Sequence, residues 1–136
     1  MIRRIARELV LQSLFQIDFS EVEAETALQA AVTERADKSA EKAAAYAQEV
    51  LLGVLANKEV IDTKISEYAI DWSLDRMPAV DRNILRVAVY EMFLADGKIV
   101  PNVAINEAVE IAKIYGTDDT PRFINGVLGK MVRSDV

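Results

Sequence analysis

Three guanidinium groups crowd the start of the chain, at Arg3, Arg4 and Arg7. Guanidinium forks at that density suit phosphate oxygens. A second group of polar residues, Asn106, Glu107 and Glu110, invites a metal or acid–base reading. The chain holds no cysteine and no histidine, which removes thiol nucleophiles, Cys-based zinc and iron–sulfur sites, the Ser-His-Asp triad and the usual general base near neutral pH. Carboxylates alone are a thin basis for catalysis, so Glu107 and Glu110 read as caps and surface charges on an amphipathic helix. By composition, carboxylate-only catalysis or magnesium binding survives and little else; at Glu107 and Glu110 neither is expected, nor is a cofactor. Gly126 and Gly129 read as a close helix-packing spacing, and Trp72 as a core anchor.

The length of 136 residues suits a single domain spanning 1–136, which buries about two-thirds of its unfolded surface. Glycine and proline together number 8, well under the usual share of about 12%, while alanine reaches 19. Few turns and much alanine favour long helices. No apolar run is long enough to span a membrane, and the N-terminus lacks the apolar core of a signal peptide, so a cytoplasmic location is expected.

The net charge of −6 is unevenly spread. Residues 1–16 carry net +2, residues 17–81 net −8 and residues 82–136 net 0. A polyanion can approach the ends of the chain, while the acidic middle faces away or meets a basic protein.

These residues need helices to position them. A first helix is expected from Arg3 to about Phe19. At about 100° per residue, Ile2, Ile5, Ala6, Leu9, Val10, Ser13 and Ile17 share one face. Arg3, Arg4 and Arg7 fall opposite, and Leu11 and Phe15 continue that outer face, a basic patch followed by apolar area that suggests a partner. A short helix is expected over about 24–36, then a long one capped by Ser39 and bent or broken at Asn57-Lys58, and another through Val60 to Tyr68. Pro78 opens a central helix, apolar nearly all round from Ile84 to Leu94. Asn102 to Tyr115 follows, closed by Gly116, and Thr120-Pro121 begins the last helix, to about Val132. Six or seven helices with short connections make an all-α, bundle-like protein.

The most specific stretch is Val103-Ala-Ile-Asn-Glu-Ala-Val-Glu-Ile-Ala-Lys-Ile-Tyr-Gly116 with Phe123-Ile-Asn-Gly-Val-Leu128. Taken with Arg3-Arg4-Ile-Ala-Arg7-Glu8, Gln12-Ser-Leu-Phe15 and Val80-Asp-Arg-Asn-Ile-Leu-Arg-Val-Ala-Val-Tyr-Glu91, it resembles the NusB family of bacterial transcription antitermination factors. The resemblance implies about seven helices in two packed sub-bundles and no catalytic activity. It implies binding to the boxA element of ribosomal RNA leader transcripts as a heterodimer with NusE, the ribosomal small-subunit protein ten. That pair would join NusA and NusG in an antitermination complex on RNA polymerase. The matching RNA-binding positions are Arg3, Arg4, Arg7, Asp119, Arg122 and Phe123, with Phe123 stacking on an unpaired base. For NusE they are Phe15 and Asp81, with Arg82 beside them, and Leu11 joins from the helical wheel.

Two departures matter. Ile5 stands where relatives often carry a basic residue, and Asp118-Asp119 puts two carboxylates near the expected RNA site. RNA affinity is therefore expected to depend strongly on NusE. Two alternatives remain at this point. One is the NusB-like N-terminal part of a ribosomal RNA cytosine methyltransferase, although no cysteine nucleophile or Gly-rich cofactor loop is present. The other is a helical interaction module without RNA.

Overall fold

In a computed structural model, residues 2–70 and 72–134 are described. Seven α-helices follow one another: α1 (Ile2–Phe19), α2 (Ala24–Arg35), α3 (Lys38–Ala56), α4 (Lys58–Tyr68), α5 (Ala79–Val89), α6 (Pro101–Tyr115) and α7 (Thr120–Ser134). A π-helical turn, Tyr90–Leu94, continues α5. The architecture is all-α, as the composition and periodicity imply. Among the described residues no helix is long and apolar enough to cross a membrane.

Local chemistry sets most boundaries. Asp37, not Ser39, caps α3: its carboxylate accepts from the Ala40 backbone N–H at 2.9 Å. Ser39 lies two residues further in, already within the first turn. Ala36 ends α2 in the left-handed region at φ 55°, a place that ordinarily favours glycine. Asn57 separates α3 from α4, its Nδ2 donating to the Gly53 carbonyl at 2.8 Å. Pro101 is at the first turn of α6, where its missing N–H costs nothing.

α1 packs against α2 and α3 on one side and α5 on the other; α5 in turn meets α4, α6 and α7. The two groups of helices are thus joined through α1 and α5. Leu9, Leu11, Leu51, Leu85, Ile124 and Leu128 are among the fully buried side chains of the core between them. Being enclosed on two sides, α1 buries residues around most of its circumference. Leu11 is only 1% exposed, so it belongs to the core and not to an outer face. Trp72 corrects the sequence reading in the other direction. It lies in the α4–α5 connector and is 50% exposed.

Gly53 is required by close approach. A Cβ there would overlap the Tyr90 ring, which fills the space beside α3. Gly53→Ala is expected to destabilise the protein by about 1–3 kcal/mol through overpacking, although alanine is the better helix former. Urea denaturation checks this; an unchanged midpoint would mean that the ring moves aside freely.

Candidate nucleic-acid and partner interface

The N-terminal arginines divide by environment. Arg3 is exposed, with its guanidinium carbon 4.5 Å from the centre of the Tyr46 ring. Arg4 forms a two-pronged pair with Glu107 on α6, Nε to Oε1 at 2.9 Å and Nη2 to Oε2 at 2.7 Å. Arg7 is 5% exposed. Its Nε donates to both Glu91 oxygens, at 2.9 and 3.0 Å, and its Nη1 reaches Glu107 at 3.3 Å. The Tyr46 hydroxyl also donates to Glu91. Burial, then the Glu91 hydrogen bond and charge, push the Tyr46 phenol well above its ordinary range.

Arg7 is thus enclosed in an ionic network joining α1, α3, the π turn and α6. The expectation of a phosphate contact at Arg7 is corrected: its donors are turned inward, because the face that carries it meets α5 and α6. Arg3 and Arg4 keep partial access. Glu107 is not a free surface charge either, whereas Glu110 pairs with Lys113, at 2.8 Å on the surface.

The Arg4 hydrogen bond is the main cause holding the Glu107 carboxyl below its ordinary range, against a smaller opposing effect of burial. A depressed carboxyl pKa contributes stability above the unfolded-state value and loses it as pH falls through the folded-state value. Glu107→Gln should therefore be less stable than the parent at neutral pH and should narrow that gap on acidification. Thermal midpoints across an acid pH series read this, and a gap independent of pH would refute it.

The start of α7 holds the second group of residues. Thr120 Oγ1 accepts from the Thr117 backbone N–H at 3.0 Å and donates to Asp81 Oδ1 at 3.1 Å. The Phe123 N–H reaches the Asp119 carbonyl at 3.1 Å, which sets the first turn. Asp119 and Arg122 are exposed and Phe123 is half-buried, packed on the core at one edge. Phe123 lines a hollow with Trp72, Met77, Pro78, Asp81, Thr117 and Asp119.

Asp81 faces this region from α5 but is buried. Burial pushes its carboxyl pKa up, and the Thr120 hydrogen bond opposes that. Asp81 therefore braces the α7 start and does not offer a free carboxylate to a partner, which corrects its expected surface role. Arg82 is half-buried as well. It donates to the carbonyls of Leu74 and Met77, at 3.0 and 3.3 Å, and to Asp18 Oδ2 at 3.1 Å. Asn83 donates to the same Asp18 oxygen at 2.8 Å, and Arg86 pairs with Asp62 at 2.8 Å. The bonds to Asp18 tie the end of α1 to the start of α5, and the Arg86–Asp62 pair ties α5 to α4.

Of the expected partner residues, Phe15 remains available. It is half-buried beside the core, and Phe19, one turn further, is 82% exposed. Sequence reasoning overlooked Phe19, although i, i+4 spacing from Phe15 places the two rings on one stripe. It also overlooked Lys130, seven residues after Phe123 and so two turns along the same face of α7. Among the described residues no cluster of His, Cys, Asp or Glu is placed to hold a metal ion.

An all-α fold that presents exposed arginine and half-exposed rings has the surface chemistry of a recognition module. Residues 4–133 match the NusB family, and the chain belongs to it. It is 47% identical over 133 residues to the transcription antitermination protein NusB of Heliobacterium modesticaldum, covering 98% of this chain and 63% of that protein's length. Against the NusB of Bacillus licheniformis identity is 45%, over 100% of this chain and 99% of the relative. The solved T. maritima NusB structure superposes with a TM-score of 0.84 at 39% identity, covering 96% of this chain and 90% of that one. A crystal structure of antitermination factors NusB and NusE in complex with dsRNA gives 0.86 at 26% identity, covering 98% of this chain and 97% of its match.

Proposed function

We propose that this chain is a transcription antitermination factor that binds boxA RNA of ribosomal RNA leader transcripts together with NusE. It acts by recognition and not as an enzyme. Its setting is the cytoplasmic antitermination complex on RNA polymerase, with NusA and NusG. The observation that carries this reading is membership of the NusB family along the chain, beside a close structural likeness to a NusB that was solved with NusE and dsRNA.

The residues offer a physical route. Arg3, Arg4 and Arg122 supply cations for phosphates, and Phe123 offers a ring face to an unpaired base. Asp119 can accept from a base amino group while repelling phosphate. Phe15 and Phe19 supply the apolar contact for NusE, and the acidic middle of the chain steers a basic partner.

The test is a titration with boxA and scrambled RNA, with and without NusE. Tighter, boxA-selective binding in the presence of NusE is expected; equal affinity for both RNAs under all conditions would reject the reading. Phe15→Asp should abolish NusE pull-down while helical circular dichroism persists, because an apolar contact becomes a desolvated charge. Unchanged pull-down would remove Phe15 from the interface, and a collapsed spectrum would assign it to the core.

A further inference from the structure

The α4–α5 connector and the outer face of α7 form two hollows that share two rings. One is lined by Tyr68, Trp72, Arg122, Phe123 and Lys130 with Gly126 between them. The other holds Asp119, Thr117 and Pro78 beside the same Trp72 and Phe123. Trp72 and Phe123 therefore make the ridge between the two.

The hollows differ in charge. Among the described residues, the lining of the first has two cations and no carboxylate, on a protein of net charge −6. Arg122 and Lys130 have no ion pair or hydrogen bond among the described residues, in contrast to the tethered Arg4, Arg7, Arg82 and Arg86. Both carboxylates, Asp81 and Asp119, line the second hollow only.

We propose that Trp72 is a second base-stacking residue beside Phe123. The hollow at Gly126, with Lys130 at its far end, takes an unpaired nucleotide of single-stranded RNA. This rests on the RNA-binding reading and extends it from the α7 start to the α4–α5 connector. The pairing of ring faces with untethered cations fits a nucleotide, which brings both a π-face and a phosphate. An apolar peptide would desolvate two cations without compensation, and a basic protein would be repelled by them. Phe123 and Lys130 stand two turns apart, about 10 Å along α7, so one holds a base and the other a neighbouring phosphate.

Trp72 is the sole tryptophan, so its fluorescence reports on this ring directly. The probe is a short single-stranded RNA carrying boxA, titrated into the protein with NusE bound. RNA is expected to quench Trp72 emission. Trp72→Ala should weaken binding about ten-fold, and Trp72→Phe should stay within about three-fold, because a ring face is what the base needs. Lys130→Ala should lower the salt slope by about 0.7. Gly126→Leu should fill the hollow and weaken RNA binding with the fold intact, since a Cβ at that position meets no atom within 4 Å.

If Phe123→Ala loses RNA while Trp72→Ala and Gly126→Leu, both folded by circular dichroism, bind as the parent does, the proposal is overturned and the RNA reading stands. If the parent with NusE binds no RNA, both fall together. Should NusE alone quench Trp72, and Trp72→Ala lose NusE, the hollow is a protein site and the proposal is wrong. Equal losses in Trp72→Phe and Trp72→Ala without quenching would make Trp72 a brace for the connector, which also overturns it.

Discussion

Arg7→Ala is expected to cost about 3–5 kcal/mol of folding stability, the cost of leaving a buried carboxylate without its counter-charge. Glu91 is 2% exposed and accepts from Arg7 and from the Tyr46 hydroxyl. Removing the guanidinium leaves one phenolic donor to hold a buried charge and opens a void between α1, α5 and α6. The melting midpoint should fall by on the order of 10 °C or more. Any loss of RNA binding should follow the unfolded fraction, without a change of salt slope in the folded protein. A double variant, Arg7→Met with Glu91→Met, should recover part of the loss, because removing both charges of a buried pair is often close to neutral. Wild-type thermal stability in Arg7→Ala would return Arg7 to the surface and to the list of phosphate contacts.

Phe123→Ala should weaken boxA binding by roughly ten-fold or more in the presence of NusE, with the salt slope nearly unchanged. Stacking on an unpaired base contributes about 1–3 kcal/mol, and 1.4 kcal/mol is a factor of ten. The ring neutralises no phosphate, so the number of released counterions stays the same. Its half-buried position predicts a modest stability loss as well, since one edge packs on the core while the other borders the hollow with Trp72 and Asp119. Binding is therefore compared at a temperature where both proteins are folded. A folded Phe123→Ala that binds boxA as the parent does would assign the ring to packing alone. Arg122→Ala supplies the contrast: the same titration should show a reduced salt slope and a loss shared by boxA and scrambled RNA.

The helices were legible in the residues themselves. Pro78 and Gly116 mark boundaries through backbone chemistry that acts locally, and the observed start of α5 and end of α6 fall within a residue of them. The long apolar run from Ile84 onward identified the enclosed central helix, because only burial on all sides tolerates such a surface. The family motifs in residues 80–128 are what direct the RNA-binding proposal to the α7 start.

Which face of α1 meets solvent was decided by tertiary structure alone. A helical wheel ranks residues by angle but does not say what each angle touches. Arg7 and Leu11 lie opposite the apolar stripe, yet α5 closes over that side, and Glu91, 84 residues away in the chain, completes the buried pair. Asp81 followed the same rule: its type suggests solvent, but Thr120, 39 residues later, folds back to bond it. Trp72 went the other way. Its size suggests a core anchor, but it stands in a connector between α4 and α5, and half its surface stays in water beside Phe123. Periodicity and backbone punctuation act over a few residues, so one sequence suffices to read them. Burial and charge pairing depend on residues distant in the chain, and only the packed fold brings those together.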